Sequence, residues 1–335
     1  ALPDAAIIIE QGGNIVRFNS AAEHMLRLAP SDQGTNLASL VRVPELVTLV
    51  RNDVPESIVE FASPFDGSVR LEVRRINLPA DHALILARDV TQLNRLLTMR
   101  QDFVANVSHE LRTPLTVIVG YLETMAMEDL DAETLRGILQ KLEPSTQRMR
   151  ALVDDLLLLT RLESSSAPEP RELDTLDIGA IVRGCIAEAR MLSHDKHKFD
   201  ADIETDVPLL GVESEVYSAC LNMITNAVRY SPDGGVVAIS WRRTPHGACF
   251  SVTDQGVGIP SEDLQRITER FYRVDFAKSR VRGGTGLGLA IVKHVLKRHH
   301  AALRVESTLG AGTTFYCDFP ASQLPLTTTD MQEAK

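Results

Sequence analysis

A chain of 335 residues is too long for one ordinary compact core, and 44% hydrophobic with 24% charged residues supplies core and surface for two or three domains. A net charge of −10 speaks against a nucleic-acid partner, whose phosphates need concentrated Lys and Arg. Cys185, Cys220, Cys249 and Cys317 have no CxxC spacing, which sets aside a zinc centre or a disulfide framework in favour of buried thiols in a reducing compartment.

Residues 1–88 alternate short apolar runs with turns. AAIIIEQGGNIVRFN reads as two strands around a Gly-Gly turn, AAEHMLRL as a short helix, and VRLEVRRINL with HALILARDV as a closing hairpin. That order suggests a small α+β sensor domain. Residues 89–164 are helical. Val107, Leu111, Leu115, Ile118 and Leu122 form one apolar stripe; Leu135, Ile138, Leu142, Met149, Leu152, Leu156 and Leu159 form another. Asp131 is the expected N-cap of the second helix, and Pro144 is expected to bend it. Two helices bury too little alone, so a hairpin that pairs with a second copy into a four-helix bundle is expected. Residues 165–171 are a linker by composition, residues 172–321 alternate helices and strands as a two-layer α/β domain, and residues 322–335 read as a disordered tail. No apolar run approaches the ~18 residues of a membrane span and no signal peptide is seen, so the chain is expected to be soluble.

Three elements of the last domain carry chemistry together. In LNMITNAVRYSP, Asn222 and Asn226 share a helix face, and their neutral amide oxygens suit a hard cation that also takes phosphate oxygens. Two such asparagines by themselves are more often a polar helix face. In VTDQGVGIP a strand ends in Asp254, whose carboxylate can accept from an exocyclic amine, while Gly256 and Gly258 let the backbone approach a flat ring. In RGGTGLGLAIVKHVLKRH, glycines 283, 284, 286 and 288 feed a helix whose N-terminus favours phosphate. The basic segment between them, with Arg273, Lys278, Arg280 and Arg282, reads as a lid over anionic phosphates. In this order within one domain, these elements point to an ATP–Mg²⁺ site.

The chain resembles the sensor histidine kinases of two-component signalling over roughly residues 95–321, in wording most like the bacterial phosphate-regulon sensors. FVANVSHELRTPL is similar to the family's H box, LNMITNAVRYSP to its N box, DQGVGI to G1, RFYR to F and GTGLGL to G2. LPDAAIIIEQGGNIVRFNSAAEHML resembles a PAS domain. The implied fold class is a multidomain α+β chain: a PAS-like α+β domain, an antiparallel helical hairpin forming a dimeric four-helix bundle, and a two-layer α/β sandwich of the GHKL type that binds ATP. The resemblance implies a site of Asn222, Asn226, Arg229, Tyr230, Asp254, Gly256, Gly258, Ile259, Phe271, Arg273, Lys278, Arg280, Gly284, Thr285, Gly286, Leu287 and Gly288. Asn226 and Asn222 would hold Mg²⁺. Arg229 stands where the family usually has Lys, and Met223 where Leu is commoner.

His109 has no metal partner at i+3 or i+4, and adjacent Ser108 points about 100° away, too far for a nucleophile–base pair. An imidazole nucleophile remains, with Glu110 able to accept the second ring N–H. The resemblance implies His109 as phosphoacceptor, Glu110 as base and Thr113 as orienter of a hydrolytic water. His24, His194, His197, His294, His299 and His300 read as solvated or capping residues. Implied partners are a second copy of the chain, a response-regulator receiver domain and transporter-associated regulators, with an upstream anchor placing the chain at the cytoplasmic side of a bacterial inner membrane. The rivals are another ATPase of the same nucleotide fold, such as a gyrase- or chaperone-type clamp, and a scaffold with a degenerate site.

Overall fold

The computed structural model describes residues 3–51, 57–127, 130–274 and 284–325. They divide into two compact units, Ala1–Ala105 and Asn106–Lys335.

The first unit is built on β1 (Ala5–Glu10), β2 (Ile15–Phe18), β3 (Ile58–Ala62), β4 (Arg70–Leu78) and β5 (His82–Asp89), hydrogen-bonded in the order β2-β1-β5-β4-β3. All four pairings are antiparallel. Period-two alternation puts Ala5, Ile7 and Ile9 on the same buried face as Ala83, Ile85 and Ala87, with Ile7 directly opposite Ile85. Helices α1 (Ser20–Leu26), α2 (Leu37–Leu40) and α3 (Pro44–Arg51) supply Leu26, Leu37, Leu46 and Leu49 to that core. The Gly-Gly turn is as expected: Gly12 and Gly13 both have positive φ, and a Cβ on Gly13 would meet Val50 at 2.4 Å. Arg75 occupies an inward position of β4 because its guanidinium donates to the carbonyls of Leu49 (3.2 Å) and Val50 (2.7 Å), satisfying the end of α3. His24 is exposed, as the sequence implied.

Helix α4 (Thr91–Met127) begins directly after β5. The backbone N–H of Arg70 donates to Thr91 Oγ1 at 2.8 Å, and Asn94 donates to Glu60 at 3.2 Å. These bonds fasten the start of α4 to the sheet, so the compact unit runs to Ala105 rather than stopping at the expected boundary after residue 88.

In the second unit, the rest of α4 and α5 (Ala132–Ser164) are the two predicted long helices. Asp131 caps α5, accepting from the Thr134 N–H at 2.7 Å. Pro114 and Pro144 both lie inside continuous helices. The α/β part follows: β6 (Asp174–Leu176), α6 (Ile178–Ser193), β7 (His197–Ile203), β8 (Leu209–Gly211), α7 (Glu213–Tyr230), β9 (Gly235–Thr244), β10 (Gly247–Thr253), α8 (Gly288–Arg298), β11 (Ala302–Thr308) and β12 (Gly312–Pro320). Its main sheet has the order β11-β12-β10-β9-β7, antiparallel except for the β7–β9 pair. Trp241, Phe250 and Val252 from the sheet meet Met223, Ile224, Ile291 and Val295 from the helical layer, all at 2% exposure or less. Helix α5 packs on α8 and buries Leu159 and Leu162 there.

One expectation is corrected and another narrowed. The packed chain continues past residue 321, where a tail was expected to begin: Ala321–Gln323 forms a 3₁₀ turn, and Gln323 and Leu324 are buried. His299, expected as a solvated or capping residue, is the C-cap of α8 but is fully buried rather than solvated. Its Nδ1 lies 2.8 Å from the Val295 carbonyl and its Nε2 accepts from the Val212 N–H, so it fastens α8 to the start of α7 as a neutral ring. His197 is also tied down, between Ser193 and the Ser231 carbonyl. The cysteines are free thiols, and burial pushes those of Cys185 and Cys249 up to about 12. Among the described residues no helix is long and apolar enough to cross a membrane, and no cluster of side chains has metal-binding form.

Candidate active site

A cavity of about 250 Å³ opens between α7, the end of β10 and the start of α8. Of the residues singled out in the sequence, Asn226, Tyr230, Asp254, Gly258, Ile259 and Arg273 line it. The remaining wall was not singled out residue by residue: Val257, Tyr272 and Leu289 fall within the quoted motifs, while Ile267, Val274, Leu309, Thr313 and Phe315 lie outside them. The lining is mostly apolar with a few convergent polar groups, the usual character of a small-molecule site.

Asp254 is the polar anchor. It is buried, and its Oδ1 accepts from the Gly256 N–H at 2.8 Å and the Thr313 N–H at 3.2 Å. Burial pushes its carboxyl above the ordinary value, while those two N–H bonds hold it down. The oxygen Oδ1 is therefore occupied by backbone, and Oδ2 accepts no bond among the described residues. Close backbone approach fixes the geometry. A Cβ on Gly256 would lie 2.1 Å from the Tyr230 carbonyl oxygen, and one on Gly258 (φ +70°) 2.2 Å from that of Thr308. Tyr272 is braced by its hydroxyl, which donates to Asp263, and by the Arg266 guanidinium 4.2 Å over its ring.

The other predicted residues do not line this cavity. Asn222 donates through Nδ2 to the Ser218 carbonyl, and its Oδ1 lies where a Cβ on Gly288 would come within 2.3 Å. Phe271 has φ +62° and donates its N–H to the Gly286 carbonyl at 2.8 Å, so it shapes the glycine loop rather than the cavity wall. Thr285 Oγ1 accepts from the Leu287 N–H at 3.2 Å, at the entry to α8. The same hydroxyl donates to Asp155 on α5 at 2.7 Å. Arg229 faces the Cα of Gly284 and acts electrostatically on Asp155. Asp155 is pushed up by burial, against its Thr285 bond and the Arg229 charge. Nothing in the sequence singled it out, because its hydrogen-bond partner Thr285 lies 130 residues away. Lys278, Arg280, Arg282 and Gly283 lie outside the described residues.

On the hairpin, His109 is exposed and Glu110 is buried. The expected hydrogen bond from the His109 ring to Glu110 is not formed here. Glu110 turns into the hairpin, where its Oε2 accepts from Arg148 of α5 at 2.8 Å. Neighbours on a helix diverge by about 100°, and the buried direction belongs to Glu110. Thr113 is exposed one turn on, with its hydroxyl 3.4 Å from the His109 carbonyl oxygen.

Residues 211–323 match the Histidine kinase-, DNA gyrase B-, and HSP90-like ATPase family, and residues 99–165 match the His Kinase A (phospho-acceptor) domain. The second match falls on the His109 hairpin, which a gyrase- or chaperone-type clamp does not need. The chain is 42% identical over 328 residues to the Phosphate regulon sensor protein PhoR of Pseudomonas aeruginosa, covering 97% of this chain and 73% of that one. The chain belongs to the sensor histidine kinases. The kinase is also 32% identical over 318 residues to PhoR of Haemophilus influenzae, covering 94% of this chain and 73% of the relative. Its fold is similar to that of the histidine kinase ThkA, solved in complex with the response regulator protein TrrA, at a TM-score of 0.54, 20% identity and 95% coverage of both chains. It is an ATP-using protein-histidine kinase.

Proposed function

We propose that this kinase seats the base of ATP against Asp254 and transfers the γ-phosphoryl group to His109. The observation that carries the reading is the Asp254 carboxylate, held by two backbone N–H groups on Oδ1 inside an apolar cavity. An exocyclic amine of a purine is the donor that this arrangement accepts. Asn226 offers a single neutral amide oxygen at the same cavity, which fits Mg²⁺, a cation that keeps several waters and takes few protein ligands beside phosphates. Asn222 is turned onto α8 and fits that role less well. When bound, Mg²⁺ supplies charge neutralisation for the phosphates. Gly284, Thr285, Gly286 and Arg229 would cradle those phosphates at the N-terminal end of α8.

A nitrogen of the neutral His109 imidazole attacks the γ-phosphorus. The N–P bond forms, the bond from phosphorus to the β,γ-bridging oxygen breaks, and ADP leaves with that electron pair. The proton on the other ring nitrogen is the one Glu110 would take or hold. To reach it, Glu110 must leave Arg148. The phosphoryl group then passes to an aspartate of a receiver domain, and Thr113 would orient the water that later removes it. Leu115, Val119 and Leu122 of α4, with Leu135, Leu139 and Val153 of α5, form apolar exposed surface in the single chain. A second copy covering that surface completes a four-helix bundle. The first unit, with strand order β2-β1-β5-β4-β3 and its helices, is read as a PAS-like sensor module. The phosphate-regulon relatives support a role in phosphate signalling.

Incubation with γ-labelled ATP tests the assignment. Wild type should acquire an acid-labile label, and His109→Gln should acquire none; a mutant that still labels would sink it. A phosphotransfer screen of the labelled kinase against receiver domains then identifies the partner.

A further inference from the structure

Three features meet at the entry to α8: the glycine loop, the half-buried Arg229 and the Thr285 hydroxyl. This is a corner suited to an anion, since a helix N-terminus, a guanidinium and a hydroxyl all present positive charge or a donor. In this structure an anion of the protein's own stands there. The carboxylate of Asp155 accepts from Thr285 Oγ1 at 2.7 Å and feels the Arg229 charge. It reaches the corner from α5, which also contacts this domain through Glu163. Glu163 accepts from Arg270 and lies 3.3 Å from His294 Nε2. The contact is therefore one end of a docked face between α5 and α8.

We propose that Asp155 is an internal competitor of the nucleotide phosphates: its carboxylate holds the glycine loop on α5 until a phosphate takes over Thr285 and Arg229. This rests on the reading above, that the glycine loop and Arg229 bind phosphate. A carboxylate and a phosphate oxygen want the same donors, and two anions at one half-buried guanidinium repel each other. Loading ATP and keeping α5 docked at Asp155 thus exclude one another. The base cavity takes no part in the exclusion, because Asp155 is not in its lining. The nucleotide's phosphates, rather than its base, would free the domain to approach His109.

The test compares ATP and adenosine affinities by calorimetry on the full chain, for wild type, Asp155→Ala and Asp155→Asn. A docked state favoured about tenfold lowers the apparent ATP affinity about tenfold. Asp155→Ala should recover that factor for ATP with adenosine unchanged, and Asp155→Asn, which keeps an acceptor but no charge, part of it. Equal ATP affinity in all three overturns the competitor, as does an equal gain for ATP and adenosine. Should Asp155→Ala fail to fold, the wild type still decides. Adding ATP, but not adenosine, should raise amide exchange in α5 around residues 151–159, and unchanged exchange overturns the proposal. Failure of every protein to bind either ligand would instead overturn the nucleotide site itself, a result distinguishable from the others.

Discussion

The base cavity and the phosphate corner adjoin each other but are built differently. The cavity is held by backbone: Gly256 and Thr313 N–H groups fix Asp254, and close approaches at Gly256 and Gly258 leave no slack. The corner is held by side chains that reach across from another element, with Asp155 and Thr285 meeting over 130 residues of sequence. Backbone geometry persists whatever else moves, whereas a side-chain bond between packed helices can be exchanged for a ligand. On the reading proposed above, one region recognises a base and the other registers that phosphates have arrived.

The largest expected effect comes from breaking the rigid side of this contrast. Asp254→Asn keeps an acceptor for the Gly256 and Thr313 N–H groups but turns an amide donor toward the base amine. ATP and adenosine affinities should both fall by about a hundredfold, measured by calorimetry, because a charged hydrogen bond is replaced by two opposed donors. A loss confined to ATP would contradict the division of labour. On the exchangeable side, Arg148→Ala leaves Glu110 inside the hairpin without its cation. The cost should be about 2 kcal/mol in urea unfolding, with partial recovery in Arg148→Lys. An unchanged midpoint would show that Glu110 does not depend on the pair. The smallest effect concerns His299, which belongs to neither region. Burial lowers its pKa below the ordinary imidazole value. As pH falls, the unfolded chain takes that proton first, so the contribution of His299 is intact above the ordinary value and fades as pH drops through the lowered one. His299→Gln should flatten the loss of stability between pH 7 and 5 by about 1 kcal/mol, followed by thermal unfolding.

The legibility of the site follows the same contrast. Asp254, Gly256 and Gly258 could be read from the sequence because the residues that make the cavity rigid are neighbours along the chain. Asn226 was legible through Asn222 one helix turn before it, whereas Tyr230 came only with the family resemblance. Thr313, Leu309 and Phe315 complete the wall from a strand pair that only the sheet register brings close. Asp155 and Arg148 had no signature, since a charged residue on an amphipathic helix looks the same whether it faces water or a guanidinium. The hairpin's length and its Asp131 cap were evident from periodicity. Strand β3 was missed because it carries one buried side chain, Phe61, in an otherwise open edge. His299 was legible as a cap but not as a buried one for a related reason: in HVLKRHH a buried ring and a solvated one follow each other in a single basic run.

Arg298 ties the end of α5 to the ATP domain. Its guanidinium donates to the carbonyls of Ser165 and Ser166 and, through Nε, to Glu215 at 3.0 Å, so the end of α5 is moored to the helical layer of the ATP domain. From Ser165 back to Asp155 is ten residues of helix, about 15 Å at 1.5 Å per residue. If the Asp155 contact opens while the mooring stays, the domain swings on a short radius instead of drifting at the end of a linker. A reactant confined to such an arc meets its target at a high effective concentration. The mooring at Ser165 and Ser166, rather than the linker after it, would then set which histidine the phosphate can meet, and adding a few glycines beyond Ser166 should leave that encounter rate nearly untouched.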